Sequence, residues 1–587
     1  MKNLRAVFTD MSGHSSHQAH GQGEAQDSTA VSGLGIPLDE STKRNIAQAL
    51  WLTEYDEKAI PDTLLLKIKS ANNSNAAFAQ RFRKRLKGMM KQPLSFVPSR
   101  KDRYRFLLEH SQSLSLRQFY SRLLYLGPES VVGYEPIPTD PHFSFPATDA
   151  PQWSNQVGWH FFVGNLADNS GRYYGVQLMF WQYALLPPAL AAEMGLSEIE
   201  NQAVEIHFAI GDESSGIHYC ANTVVVAGTT GLIDFSPVPY SYSVGRNSIK
   251  STDASGSMFP LRLQARGWDM GKETDGEIEI DISLEDLKGY FLQGENGSWP
   301  SVDGVGTLYY SASSLGLSAD TPSFLRIGDR KIDLAGGSMW YDHQWGTGFM
   351  PAGSPRHAVM RAVQNITQST PGGWDWFMFQ FQVDERIGLE REVALTISAL
   401  HTNENMAFYR QKGETSPGIM VAPFIGKYID PDNRSIDIKG IMKVDEWIKS
   451  SSSPNPILYP PTGYWYPKRY SFEVEGKLPD VLKRFWGRPI IDGEQTGFFA
   501  TGLQYSEGGA VAFDNNGEKI GRGFAEHTDY ADTSEIVLSL ADLPVNADTL
   551  KYLDQPKVSL FMKTCSLLYA ALHKKELNRI LSEAKGL

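Results

Sequence analysis

Apolar and polar residues alternate in short runs from about residue 145 to about residue 535. WHFFVGNLADNSGRYYGVQLMFWQ reads as two aromatic-rich strands around a turn at 167–171. AVEIHFAIG, ANTVVVAGT, GEIEIDISL, VGTLYYSA, FLRIGDRKIDLAG, WDWFMFQFQVD, EVALTISAL, RYSFEVEG, GFFATGLQYS and GAVAFDN follow, with Gly, Asn, Asp and Pro between them. Many short strands without intervening helical periods predict a mainly β protein of barrels or sandwiches, not alternating β-α units. The span suits two β units of about 200 residues each.

The flanks have a different texture. Residues 1–38, rich in Ser, Gly, His and Gln, predict a mobile tail. His14, His17 and His20 stand three apart there, but no carboxylate or cysteine completes a metal site. Residues 39–130 hold AAFAQRFRKRLKGMM, RYRFLLEH and LRQFYSRLLYL with breakers between them, and predict a helical extension. LFMKTCSLLYAALHKKELNRILSEAK predicts a closing helix within 553–587.

Charge and composition narrow the classes. The 587 residues carry a net charge of −12, which argues against a nucleic-acid partner. Two cysteines exclude a disulfide scaffold. From Arg81 to Arg105 ten Lys/Arg face one acid, so this segment carries +9 and the remainder −21. Phe82, Leu86, Met89 and Met90 sit among those cations at near-helical spacing, as in a basic amphipathic helix resting on anionic lipid. A solvated face, or one docked on the acidic remainder, accounts for the same pattern. No apolar h-region opens the chain and no run reaches the ~20 apolar residues of a spanning helix. The expectation is a cytoplasmic protein, soluble or peripheral on a membrane.

Common catalytic motifs are missing. GWDMGK (267–272) ends in Glu273 where a phosphate loop needs Ser or Thr, and no G-x-G-x-x-G opens a helix. No G-x-S-x-G elbow and no H-E-x-x-H occur. No metal and no cofactor are expected. What remains is GGSMWYDHQWGTG (336–348) and GGWDWFMFQFQ (372–382). In an extended chain Trp340, Asp342 and Gln344 face one way, and Tyr341, His343 and Trp345 the other. A carboxyl beside indole on the inner face of a barrel is desolvated, which raises its pKa and suits a general acid. A hydrogen-bonded structural acid at a strand end fits the residue types equally well. Trp374 and Trp376 alternate with Asp375, so either the tryptophans or the acid line a cavity, and Asp375 is a rival acid.

These motifs resemble the hydroxyneurosporene synthase (carotenoid 1,2-hydratase) and AttH-like family. GSMWYDHQWG (337–346) is similar to its G-x-x-W-x-D-H-E-W-G signature. The first strand pair, LYYS (308–311), GWDWFMFQFQ, TGYWYPKRYSFEVEG and GRGFAEHTDY (521–530) follow in the family's order. Gln344 stands where the family usually carries Glu, and Tyr341 where a smaller residue is common. The resemblance covers about 145–535 and not 1–130. It implies two lipocalin-like antiparallel β-barrel domains, 145–360 and 361–552, joined near 350–372.

It also implies cofactor-independent hydration of a prenyl or carotenoid-like double bond through a tertiary cation. Asp342 aligns with the family's acid, amid Trp340, Tyr341 and His343. The cation needs π-faces, each worth ~2 kcal/mol when dry. Trp340, Trp374, Trp376, Tyr309 and Tyr310 are the candidates, with Asp375 beside the tryptophans of 374–376. A terpenoid cyclase with the same acid, a Diels–Alder-type pericyclase and a non-catalytic lipid-binding carrier are the alternatives. Each takes an apolar isoprenoid or polyene.

If the 81–105 segment docks on anionic lipid, reversing Arg83, Lys84, Arg85 and Lys87 to Glu abolishes co-sedimentation with acidic liposomes. Unchanged co-sedimentation by the folded variant rejects this.

Overall fold

The computed structural model describes residues 133–347, 374–400, 415–449, 465–491, 496–498 and 504–530, less short gaps within these ranges. The expected tail, helical extension, basic segment, joint near 350–372 and closing helix lie outside the described residues. The protein is mainly β.

Fourteen strands form the first sheet. They are β1 (Val157–Asp168), β2 (Tyr173–Ala184), β3 (Gln202–Asp212), β4 (Ile217–Val226), β5 (Ile233–Pro237), β6 (Tyr240–Val244), β7 (Asn247–Ser251), β8 (Leu261–Trp268), β9 (Glu277–Asp286), β10 (Tyr290–Leu292), β11 (Ser298–Val302), β12 (Val305–Leu317), β13 (Phe324–Ile327) and β14 (Arg330–Thr347). The path runs β4-β3-β2-β1-β14-β12-β9-β8-β7-β6-β5.

Nine more strands form the second sheet. They are β15 (Trp374–Phe381), β16 (Val393–Leu400), β17 (Met420–Ile429), β18 (Ser435–Lys449), β19 (Trp465–Glu475), β20 (Arg484–Pro489), β21 (Thr496–Phe498), β22 (Gln504–Phe513) and β23 (Lys519–His527). β15 to β20 meander, β20 pairs with β22, and β23 returns to β15, so eight strands close an antiparallel barrel. Eight up-and-down strands are the lipocalin plan.

The first sheet departs from the expected second barrel. Its path ends at β4 and β5, and no pairing joins those ends among the described residues. β4 instead lies over β8, where a Cβ on Gly267 would stand 2.6 Å from the Ala221 Cβ. Small residues let the two layers touch face to face, so packing rather than a hydrogen-bond ladder holds the curl.

The sheet and the barrel meet along a seam. β1 is buried at all twelve positions, whereas β17 begins by alternating buried and exposed. A strand buried on both faces has protein on both sides. Asn165 Nδ2 donates to the Gly523 carbonyl at 2.8 Å, and Arg522 Nη1 lies 2.9 Å from Glu213 Oε2. Backbone meets backbone at Gly175, where a Cβ would lie 2.9 Å from Gly509 N.

That contact predicts a specific weakness. Gly175→Val wedges the seam apart, with a stability loss of ~1–3 kcal/mol typical of overpacking. Thermal unfolding of the full chain measures it, and an unshifted midpoint rejects backbone contact at this position.

Candidate active site

β14 runs between β1 and β12, with Asp342 opposite Phe161 on one side and Ser311 on the other. The period of two therefore puts Trp340, Asp342, Gln344, Tyr309 and Ser311 on one face. That face looks into the seam rather than into a barrel interior. Trp159, Phe161, Met179 and Trp181 join it from the first sheet, and Trp299 from β11. Trp374, Trp376, Ser398, Leu400 and Glu526 close it from the barrel. The cavity between them is about 50 Å³.

Asp342 is 2% exposed and receives three hydrogen bonds. Tyr309 Oη donates to Oδ2 at 2.6 Å, and Ser311 Oγ and Trp340 Nε1 donate to Oδ1 at 2.5 and 2.6 Å. Burial pushes its pKa up to about 7, against the pull of those donors. No lysine or arginine pairs with it among the described residues.

Sequence reasoning missed Glu526. It lies in GRGFAEHTDY on β23, where Arg522, Phe524 and Glu526 share one face. An acid in an otherwise buried strand was the available signal. Only the barrel's closure brings it to the cavity that holds Asp342. Burial pushes its pKa up to about 8, opposed by a Trp374 hydrogen bond and reinforced by Asp342 and Asp375. Behind it, Glu507 is its cross-strand partner and accepts from Gln177 Nε2. Burial and the charge of Glu526 hold the Glu507 carboxyl well above the usual range.

Four candidates sit elsewhere. Tyr310, Tyr341 and His343 project from the opposite face of β12 and β14, into the first sheet's interior. Tyr310 donates to Asp149 Oδ1 at 2.6 Å. Tyr341 Oη lies 2.8 Å from His160 Nδ1, and His343 stacks on His160 with ring centroids 3.9 Å apart. Loss of water pulls the His343 pKa down to about 4, so the ring is neutral. Asp375 points into the barrel, 2.7 Å from His527 Nδ1, with Tyr530 donating to both its oxygens. Strand alternation makes Asp375 and the Trp374–Trp376 pair mutually exclusive at the cavity, and the tryptophans occupy it.

Gln344 is anchored through Nε2, which donates to Trp299 O and Thr307 Oγ1. Among the described residues no group of three or more His, Cys, Asp or Glu is placed to hold a metal ion. No helix among them is long and apolar enough to cross a membrane.

Part of the chain is similar to a known family. Residues 136–391 match the AttH-like family model. The match takes in the first sheet and the opening strand of the barrel. Among solved structures, a putative AttH from Nitrosomonas europaea is 16% identical, covers 68% of this chain and 99% of its own, and has a TM-score of 0.46. Kievitone hydratase from Nectria haematococca is 13% identical over 68% of this chain and 99% of its own, with a TM-score of 0.42. CghA bound to Sch210972 is 8% identical over 68% of this chain and 96% of its own, with a TM-score of 0.26. No curated protein matches the chain.

Burial of Asp342 predicts a pH-dependent stability. Below its unfolded value of 3.8 both states hold the proton and no penalty exists. As pH rises toward about 7 the unfolded chain ionises first, so stability falls, then levels. The protein should therefore unfold more easily at pH 8 than at pH 5. Asp342→Asn removes up to ~4 kcal/mol of that slope. Equal slopes for the two proteins, by denaturant unfolding, reject the raised pKa.

Proposed function

We propose that the seam cavity catalyses proton-driven addition of water to an isolated C=C bond at the end of an apolar, prenyl-type chain. The observation that carries this reading is the pair of buried carboxyls, Asp342 and Glu526, at one aromatic-lined cavity. The cavity of about 50 Å³ has room for three or four water-sized groups, each needing ~10–15 Å³. That is the scale of a branched prenyl tip.

The two carboxyls divide the work by environment. Asp342, ringed by O–H and N–H donors, is prepared to hold a negative charge. Glu526, with the higher pKa, keeps its proton near neutrality. Glu526 protonates the less substituted alkene carbon, and the tertiary cation forms against Trp374, Trp376 and Trp159. Water adds to the cation, and Asp342 takes the proton released. Passing that proton back to Glu526 restores the site, so no cofactor enters the balance. This replaces a single-acid role for Asp342 with a coupled pair. A cyclase uses the same first step but lets an internal alkene capture the cation.

The test is incubation with acyclic prenyl substrates in H₂¹⁸O. Hydration places ¹⁸O in a tertiary alcohol, whereas cyclisation yields an unlabelled isomer. Asp342→Asn and Glu526→Gln each lower kcat by ~10²–10⁴-fold, and Asp375→Asn has a milder effect. The kcat profile of the native enzyme rises through pH of about 7 and falls above about 8. A single limb falling through about 7 would restore Asp342 as sole acid. Normal turnover in both folded carboxyl variants would remove acid catalysis altogether.

A further inference from the structure

The seam has a second opening, at the far ends of the strands that carry the two carboxyls. It is a cleft of about 230 Å³, between the 313–314 and 337–338 segments of the first sheet and β15, β16 and β23 of the barrel. Its chemistry is the reverse of the apolar cavity. Ser313, Ser338 and Gln380 line its floor, and Lys288, Lys519 and Arg522 stand around it.

Two features mark the cleft as built. The β12–β14 register slips between Ala312 and Leu315, and a bulge of this kind re-aims the side chains at 313 and 314. Gln380 reaches across from the barrel to mend the disturbed backbone, donating to Ser313 O at 2.7 Å and Ser338 Oγ at 2.9 Å. The Ser313 hydroxyl, in a residue 1% exposed, is left with no hydrogen-bond partner. A native buried hydroxyl without a partner calls for a bound group or water.

The cations are incompletely matched. Arg522 is committed, with Cζ 3.4 Å above the Tyr173 ring and Nη1 paired with Glu213. Asp384 is held by Arg386. Lys288 Nζ donates to the backbone carbonyl of Glu392, not to its carboxylate. Lys519 forms no ion pair within 4.0 Å among the described residues. Loss of water lowers the pKa of both lysines, and Arg522 lowers that of Lys519 further; Glu392 and Asp430 act the other way on Lys288, and Glu213 on Lys519.

We propose that this cleft binds a small polar oxyanion, a carboxylate or phosphate compound, between Lys288 and Lys519, with the Ser313 hydroxyl as a further donor. Two ammonium groups and a hydroxyl lining one cleft supply donors that an oxyanion's lone pairs match. At ~10–15 Å³ per water-sized group, the volume suits a ligand of about fifteen non-hydrogen atoms or fewer. Binding also reaches the catalytic strands. Ser338 lies on β14 with Asp342, and Arg522 on β23 with Glu526. A ligand that bridges sheet and barrel here holds the seam closed.

The probes are inorganic phosphate and citrate, titrated calorimetrically into the full-length protein at constant ionic strength, with chloride as control. The expected result is saturable binding of one or both, with a rise in the unfolding midpoint that chloride does not give. Phosphate binding alone assigns a phosphate ligand, and citrate binding alone a carboxylate. Lys288→Gln and Lys519→Gln should each weaken binding by about tenfold, and Ser313→Ala by less. Lys331→Gln, at an exposed pair with Asp333, should leave it unchanged. No saturable binding of either probe at 10 mM, or equal binding by the lysine variants, overturns the proposal and leaves a water-filled seam. Neither readout depends on turnover, so the outcome is separate from that of the hydration reading.

Discussion

A strand with protein on both faces keeps water from both sets of its side chains, and β14 is such a strand over its last nine residues. The chemistry of the seam follows from that. Even-numbered residues from 340 to 344 face the barrel, and odd-numbered ones face the first sheet's interior. Neither set meets solvent. A carboxyl on such a strand loses hydration that three hydrogen bonds only partly replace, and its proton becomes hard to remove. The same holds for Glu526 on β23, whose outward face becomes an inner surface when the barrel packs against the sheet. The pair of acids is thus a product of docking two β layers, and neither layer alone desolvates both.

The far face of β14 is held by a chain of hydrogen-bonded side chains that ends on one carboxyl, Asp149. Tyr310 links Asp149 to Tyr341, whose hydroxyl continues to His160. Burial pushes Asp149 up to about 6, against hydrogen bonds from Tyr310 and Tyr290. Both histidines are kept neutral by loss of water. A hydrogen-bonded network of this kind fixes strand position. Tyr341 and His343 therefore matter to Asp342 by holding β14, from the side opposite the cavity.

The period of two at 340–345 and at 374–376 was legible in the sequence, and so was the β character of the chain, although twelve runs stood out where the described residues form 23 strands. Alternation alone separated Asp342 from Tyr341 and His343, and made Trp374 and Trp376 exclusive of Asp375. What alternation does not contain is the identity of the space on each side. Asp342 was expected on a barrel's inner face, whereas the inner face carries Asp149, Tyr310 and His160 and Asp342 looks outward into the seam. Tyr309 and Tyr310 were expected together, yet adjacent strand residues part. Glu526 was hidden for a related reason. Its strand, KIGRGFAEH, carries Arg522 and Glu526 on the face that the first sheet covers, and the sequence does not show what lies on that face. The open path of the first sheet was also unreadable, since ladder closure depends on the relative curl of β4 and β8.

The hydrogen-bond inventories of the two acids decide which of them suits which step. A group that must accept a proton gains from donors already aimed at its oxygens, because they stabilise the charge it carries beforehand. Asp342 has Tyr309, Ser311 and Trp340 in that role. A group that must release a proton to carbon gains from an environment that makes its ionised form costly. Glu526 has two neighbouring carboxyls that do so and one indole that opposes them. Water attack also needs an acceptor on the side from which water arrives. Asp342 and Gln344 share a face of β14, and Gln344 has its Nε2 committed to Trp299 O and Thr307 Oγ1. Its remaining polar atom is a carbonyl oxygen, which accepts from a water without taking its proton. A carboxylate at 344 would bring a third acid to a cavity that already contains two. The amide keeps the acceptor and omits the charge, which leaves the proton chemistry to Asp342 and Glu526.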